Sequence, residues 1–167
     1  MTMPKQQPGR SRQDYATPPA FTAAVLWRLR VPRFQFDFAA AAHNSKAGSK
    51  YWSEADDALS KSPQEWGRAC RGGWGWLNPP FADIEPWVEL VRESSVFHDA
   101  HIALLVPASI GANWYADHVH RHALVLAVSP RLAFDPDRPT WPYPKDCILA
   151  LYGPTVSPGF DCWRWKP

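Results

Sequence analysis

Two consecutive prolines, Pro79-Pro80, stand just before the middle of the chain, between Leu77-Asn78 and Phe81. Proline fixes φ and lacks a backbone N–H, so such a pair fits neither a helix interior nor the centre of a sheet. The residue before a proline is pushed to extended backbone, which here restricts Asn78 as well. The segment is therefore a stiff turn, and regular elements can only end at it or begin after it. Trp74-Gly75-Trp76 reads as a short strand leading in, and Asp83-Ile84-Glu85-Pro86 as a helix start leading out. An amide side chain, rigidly held carbonyls and a flat ring at a strand exit are what is needed to grip a planar base by its exocyclic amine.

The remaining elements fall on either side of this turn. Residues 1–13 lack apolar periodicity and read as a flexible arm. Thr17-Pro18-Pro19 opens a helix to about Arg30, with Thr17 as its cap, apolar Phe21, Ala24, Val25 and Leu29 on one face, and Pro32 as its stop. Phe34–Phe38 alternates apolar and polar residues as a strand does, then runs into Ala39–Ala42. An acidic residue at the end of such a strand, Asp37, sits where open α/β sheets bind ligands; its other reading is the cap of an alanine helix. Residues 43–73 show no clear period and carry the acidic pair Asp56-Asp57.

Beyond the turn, Ile84, Trp87, Val88, Val91 and Ser95 share a helical face. His101–Val106 reads as a buried strand, Ala112–His120 as a helix, and Leu124–Val128 and Asp146–Tyr152 as further strands. Arg131–Pro144 is proline-rich and partly basic and reads as a loop or ribbon. This alternation predicts an α/β fold, a mixed sheet with helices on both faces, in one domain over residues 14–152 with a tail from 153 to 167.

Composition excludes several classes. The 167 residues hold three cysteines without C-x-x-C spacing, so neither a disulfide frame nor a zinc site is expected. No apolar run approaches the ~18 residues that span a bilayer, and no signal-peptide core stands at the N-terminus, so a cytoplasmic location is expected. A net charge of +2 is too small to dictate a partner, which leaves nucleic-acid binding to a local patch. Arg131, Arg138 and Lys145 around the proline-rich loop, with Lys46 and Lys50 in the earlier irregular stretch, are the candidate phosphate contacts. His118, His120 and His122 alternate, but no cysteine or carboxylate stands at metal-ligand spacing, and they read as polar surface. The ten tryptophans read mostly as core packing.

In order and spacing, Asp14, Thr17-Pro18-Pro19, Phe36-Asp37-Phe38-Ala39-Ala40, Asn44, Tyr51, Asp57-Ala58-Leu59 and Trp66 lead to Leu77-Asn78-Pro79-Pro80-Phe81 and Trp87. Leu105-Val106-Pro107-Ala108, Trp114 and Arg131-Leu132-Ala133-Phe134 follow. Over residues 14–152 the chain resembles the phage-encoded, Dam-like DNA N6-adenine methyltransferases. The resemblance implies a compact Rossmann-like fold that uses S-adenosylmethionine on DNA, with no metal. It also implies that Asn78, Pro79, Pro80 and Phe81 form the catalytic amino-methyltransferase signature. Thr17, Pro18, Asp37, Ala39 and Asp57 then belong to the cofactor side, with Asp56 as the alternative to Asp57. One departure is plain: Ala39-Ala40 stands where many larger methyltransferases carry a glycine-rich loop. Two other functions stay open at this point, cytosine-N4 methylation and a non-catalytic DNA-binding or decoy protein on the same fold.

Overall fold

A computed structural model describes residues 17–134 and 140–166 of the chain. Helix α1 (Pro19–Leu29) begins with proline in its first turn, where the missing N–H leaves no bond unmade. It ends at Arg30 in a left-handed cap whose N–H donates to the Trp27 carbonyl (3.1 Å). The sequence puts Thr17 at the cap of this helix. The cap is instead Pro18, because Pro19 already has helical backbone, and the Thr17 hydroxyl is engaged elsewhere.

Strand β1 (Phe36–Asp37) is shorter than the predicted 34–38. Phe34 packs on one side of the sheet and Phe38 on the other, so the alternation across residues 34–38 does not define one flat strand. No alanine helix follows. Residues 53–60 form two short 3-10 turns, Glu54–Asp56 and Ala58–Ser60. Helix α2 (Pro63–Ala69), absent from the sequence reading, starts at a capping box. The Ser62 hydroxyl accepts from the Glu65 N–H (3.3 Å), and the Glu65 carboxylate accepts from the Ser62 N–H (2.8 Å).

Strand β2 (Trp74–Leu77), helix α3 (Glu85–His98), strand β3 (His101–Pro107), helix α4 (Asn113–His118) and strands β4 (Leu124–Ser129) and β5 (Cys147–Tyr152) follow the expected order. The stretch after Gly153, read as a tail, supplies strand β6 (Gly159–Arg164) at the sheet edge.

Six strands among the described residues form one mixed sheet in the order β1-β2-β3-β5-β4-β6. β1, β2 and β3 are mutually parallel, β5 is antiparallel to both β3 and β4, and β6 is parallel to β4. β5 alone therefore runs against the rest. Both faces are covered. Ile102, Leu104 and Val106 of β3 point to a core closed by Trp66 of α2 and by Val88 and Val91 of α3. Ala103 and Leu105 point to a second core closed by Phe21 and Val25 of α1 and Trp163 of β6. Strands buried on both faces explain why His101–Val106 reads as a near-continuous apolar run.

Gly75 lets these layers approach. A Cβ built there would lie 2.3 Å from the Phe38 ring, which itself stacks on Trp66 with centroids 4.2 Å apart. The topology brings the carboxyl ends of β1 and β2 side by side, since Asp37 pairs in register with Trp76, two residues before Asn78. In open α/β sheets that edge is where ligands bind.

Candidate active site

Asn78 leaves the end of β2 and is flanked by buried Leu77 and buried Pro79. Its Nδ2 donates to the Thr17 hydroxyl (3.0 Å), a residue 61 positions earlier and 1% exposed. This bond orients the amide and leaves the Oδ1 buried without a hydrogen-bond partner among the described residues. Buried acceptors of this kind are rare, because an unmade bond forfeits the hydration the atom had in water. The two prolines that follow have no N–H to offer it.

Phe81 is half-buried. Its ring meets Phe134 (centroids 6.2 Å apart, planes at 79°) and Tyr143 (5.9 Å, 60°), and those two meet each other at 5.5 Å. Both neighbours come from the proline-rich segment after β4, which is tied down at its base. The Tyr143 N–H donates to the Leu132 carbonyl (2.6 Å), and Arg131 Nε bonds Asp146 Oδ1 (2.6 Å). Trp165, just past β6, donates its N–H to the Ser129 carbonyl (2.9 Å) and its indole N–H to the Pro130 carbonyl (2.8 Å). Sequence reading assigned no role to Phe134 or Tyr143, whose contacts with Phe81 are entirely tertiary.

The neighbouring strand end is arranged differently. Asp37 is 2% exposed, and both its carboxylate oxygens are engaged by backbone. Oδ1 accepts from the Ala39 N–H (3.3 Å) and Oδ2 from the Lys46 N–H (2.8 Å). Burial pushes its carboxyl up to about 6, partly offset by those two bonds and by the Lys46 ammonium. Asp37 thus ties residues 38–46 into a loop in place of capping a helix. Lys46 lies partly buried next to it, its own pKa lowered by the loss of water, and does not project freely into solvent.

The acidic pair separates into two environments. Asp56 Oδ2 accepts from the N–H and hydroxyl of Ser53 (2.7 Å each), which holds its carboxyl below the usual range. Asp57 is exposed in a left-handed turn and makes no side-chain hydrogen bond among the described residues. The turn beneath it is fixed by the buried Trp66 indole N–H, which donates to the Ala58 carbonyl (3.0 Å).

Of the candidate phosphate contacts, Lys50 and Lys145 are exposed, Arg131 is exposed but paired with Asp146, and Arg138 lies outside the described residues, as do Asp14 and the arm. Cys70 and Cys147 are buried, and their thiols are pushed up to about 11 and about 12 by loss of water, which leaves neither a ready nucleophile. Among the described residues no group of three His, Cys, Asp or Glu side chains is placed to hold a metal ion, and no helix is long and apolar enough to cross a membrane.

The family model for DNA N-6-adenine-methyltransferase (Dam) matches residues 5–145, most of the chain. No curated protein matches it. The chain belongs to the DNA N-6-adenine-methyltransferase (Dam) family.

Proposed function

We propose that this member of the Dam family methylates the N6 amine of a flipped adenine in DNA, using S-adenosylmethionine on a Rossmann-like sheet. The observation that carries this reading is the Asn78 amide, fixed by Thr17 with its Oδ1 buried and unpartnered among the described residues. An aromatic amine is a poor nucleophile because its lone pair is delocalised into the ring. An acceptor aimed at one of its hydrogens draws the nitrogen toward tetrahedral geometry and localises that pair. Asn78 Oδ1 supplies one acceptor, and the Pro79 carbonyl, on a backbone the prolines hold rigid, supplies the second. The catalytic contribution is orientation and preorganised electrostatics, with no strong base required.

Phe81 stacks on the extruded base and replaces part of the stacking lost in the duplex. Phe134 and Tyr143 set the angle of that ring. Bound S-adenosylmethionine supplies the methyl group as an electrophile on its sulfonium sulfur. A site for it at the ends of β1 and β2 is supported by the parallel arrangement of those strands and by the free Asp57 carboxylate. Asp57 takes the adenine of the cofactor, Thr17 and Pro18 lie at its methionine end, and Asp37 acts through the loop it organises with Ala39. Asp57 is preferred over Asp56 because Asp56 is already committed to Ser53. Lys145 and Arg131 contact phosphates, with Arg138 as the further cation that the sequence offers.

The test is incubation with DNA and labelled S-adenosylmethionine, followed by nucleoside analysis. N6-methyladenine is expected from the wild type and none from Asn78→Ala. N4-methylcytosine would transfer the reading to the other exocyclic amine. Failure of the wild type to bind S-adenosylmethionine by calorimetry would leave a DNA-binding protein without catalysis.

A further inference from the structure

Among the described residues three buried side-chain polar atoms have no hydrogen-bond partner. One is Asn78 Oδ1. The other two, Arg92 Nε and His118 Nδ1, come from α3 and from the end of α4, helices that pack on each other. They converge on Tyr152, the last residue of β5. Its buried hydroxyl donates to the His118 carbonyl (2.9 Å), and the Arg92 guanidinium lies near enough to act on that hydroxyl. His122, partly buried in the turn before β4, completes the group. Loss of water, and then the positive charges of Arg92, His118 and His120, hold its imidazole below the usual range, with no carboxylate among the groups acting on it. The one ion pair among the described residues joins Arg131 to Asp146, so the Arg92 charge is uncompensated there.

An orphaned buried donor costs what an unmade hydrogen bond costs, and more when it carries charge. Two such atoms in one positive neighbourhood call for an acceptor with negative charge. Arg92 beside the histidines repels a metal cation, so their alternation serves an anion instead. A planar carboxylate has its acceptors in one plane. A tetrahedral oxyanion presents oxygens in several directions, which suits donors arriving from α3, α4 and the turn before β4. Tyr152 pairs with Ile102 near the start of β3, and Leu124 opens β4. The group therefore lies at the sheet edge opposite the Asn78 turn.

We propose that Arg92, His118 and His122 form a second site that binds a phosphate group, with Arg92 Nε and the protonated Nδ1 of His118 as its inner donors. Two carriers have this chemistry: a DNA strand running past that edge, and a free phosphate or nucleotide. The site stands independently of methyl transfer.

Inorganic phosphate is the probe. Wild type, Arg92→Gln and Arg33→Gln, the last an exposed arginine after α1, are melted in sodium phosphate and in sodium chloride at equal pH and ionic strength. At a concentration about ten times its Kd, phosphate should raise the wild-type melting temperature by roughly 3–5 °C beyond chloride. Arg33→Gln should keep that shift and Arg92→Gln should lose most of it. Should Arg92→Gln not fold, the histidine ring resonances of the wild type give the answer: phosphate should move those of His118 and His122 and leave exposed His43 and His98 in place. An equal shift in Arg92→Gln, no shift beyond chloride in the wild type, or movements as large at His43 and His98 would each overturn the site. The carrier is then read from DNA binding. A strand phosphate in the site means that Arg92→Gln lowers the salt slope by about one. An unchanged slope, or no DNA binding at all, with the wild-type phosphate shift intact assigns the site to a free phosphate group.

Discussion

The ends of β1 and β2 lie side by side, each carries a polar side chain into the interior, and they treat it in opposite ways. Asp37 is buried with both carboxylate oxygens met by backbone N–H groups of its own loop. Asn78 is held through its nitrogen by a hydroxyl 61 residues away, and its oxygen is left without a partner among the described residues. A satisfied buried group builds structure, and its removal is felt first in stability. An unsatisfied one is an acceptor waiting for a donor from outside, and its removal is felt first in activity. On the proposed reading, the contrast gives the amine half of the site to side-chain chemistry and the cofactor half to loop shape.

The sharpest break of that contrast is Asn78→Ala. Loss of a preorganised acceptor should lower methylation by about 10² to 10³, with thermal melting little changed. A variant that melts early would place Asn78 with Asp37 as a structural group. Thr17→Val comes next. Without its orienting bond the amide can rotate, and a loss of about ten-fold in rate is expected from one hydrogen bond. Thr17→Ser should restore that rate, and equal activity in all three proteins would show that Asn78 needs no guide.

Gly75→Ala probes the other half. The added Cβ meets the Phe38 ring and, at 3.3 Å, the Cys70 Cβ, neither of which can withdraw from the packed core. Overpacking of this kind costs roughly 1–3 kcal/mol, visible as a lowered melting temperature. Calorimetry should show weaker S-adenosylmethionine binding, since Phe38 carries the strand end and the loop.

Asp37→Asn tests the pH signature of a buried, satisfied carboxylate. The folded pKa, about 6, lies above the ordinary 3.8, so the folded protein holds its proton longer than the unfolded chain does. The Asp37 contribution to stability is therefore greatest at low pH, falls from about pH 4 to about pH 6, and is flat above. Melting curves of wild type minus Asp37→Asn should show that slope, and a flat difference would mean that the carboxyl is not held in this way. The smallest effect is on DNA binding. Lys145→Ala should reduce the salt slope by about one, and Arg131→Ala by less, because Arg131 already shares its charge with Asp146.

Most of the sheet was legible because its strands are buried on both faces, and buried strands are apolar throughout. β3 and β5 could be read in this way. α2 was missed although its Ser62-x-x-Glu65 capping box was present in the sequence, because Trp66 and Gly67 are its only buried residues and seven residues show no period. β6 was missed because it is an edge strand with Trp163 as its single buried residue. The predicted 34–38 strand failed for a related reason. Three phenylalanines at spacing two imply one face only if the backbone stays flat, and here it does not.

By itself the sequence determined the stiff turn at Pro79-Pro80, the strand before it and the helix after it, since proline's constraints are covalent and act without context. It also determined the family, through the order of its motifs. Only the tertiary structure decided which side chains are free to act. It turned Thr17 from a helix cap into the partner of Asn78, committed Asp37 and Asp56 to backbone and to Ser53, and left Asp57 and Asn78 Oδ1 open. Those outcomes depend on which donors arrive from distant parts of the chain, and local sequence carries no record of that.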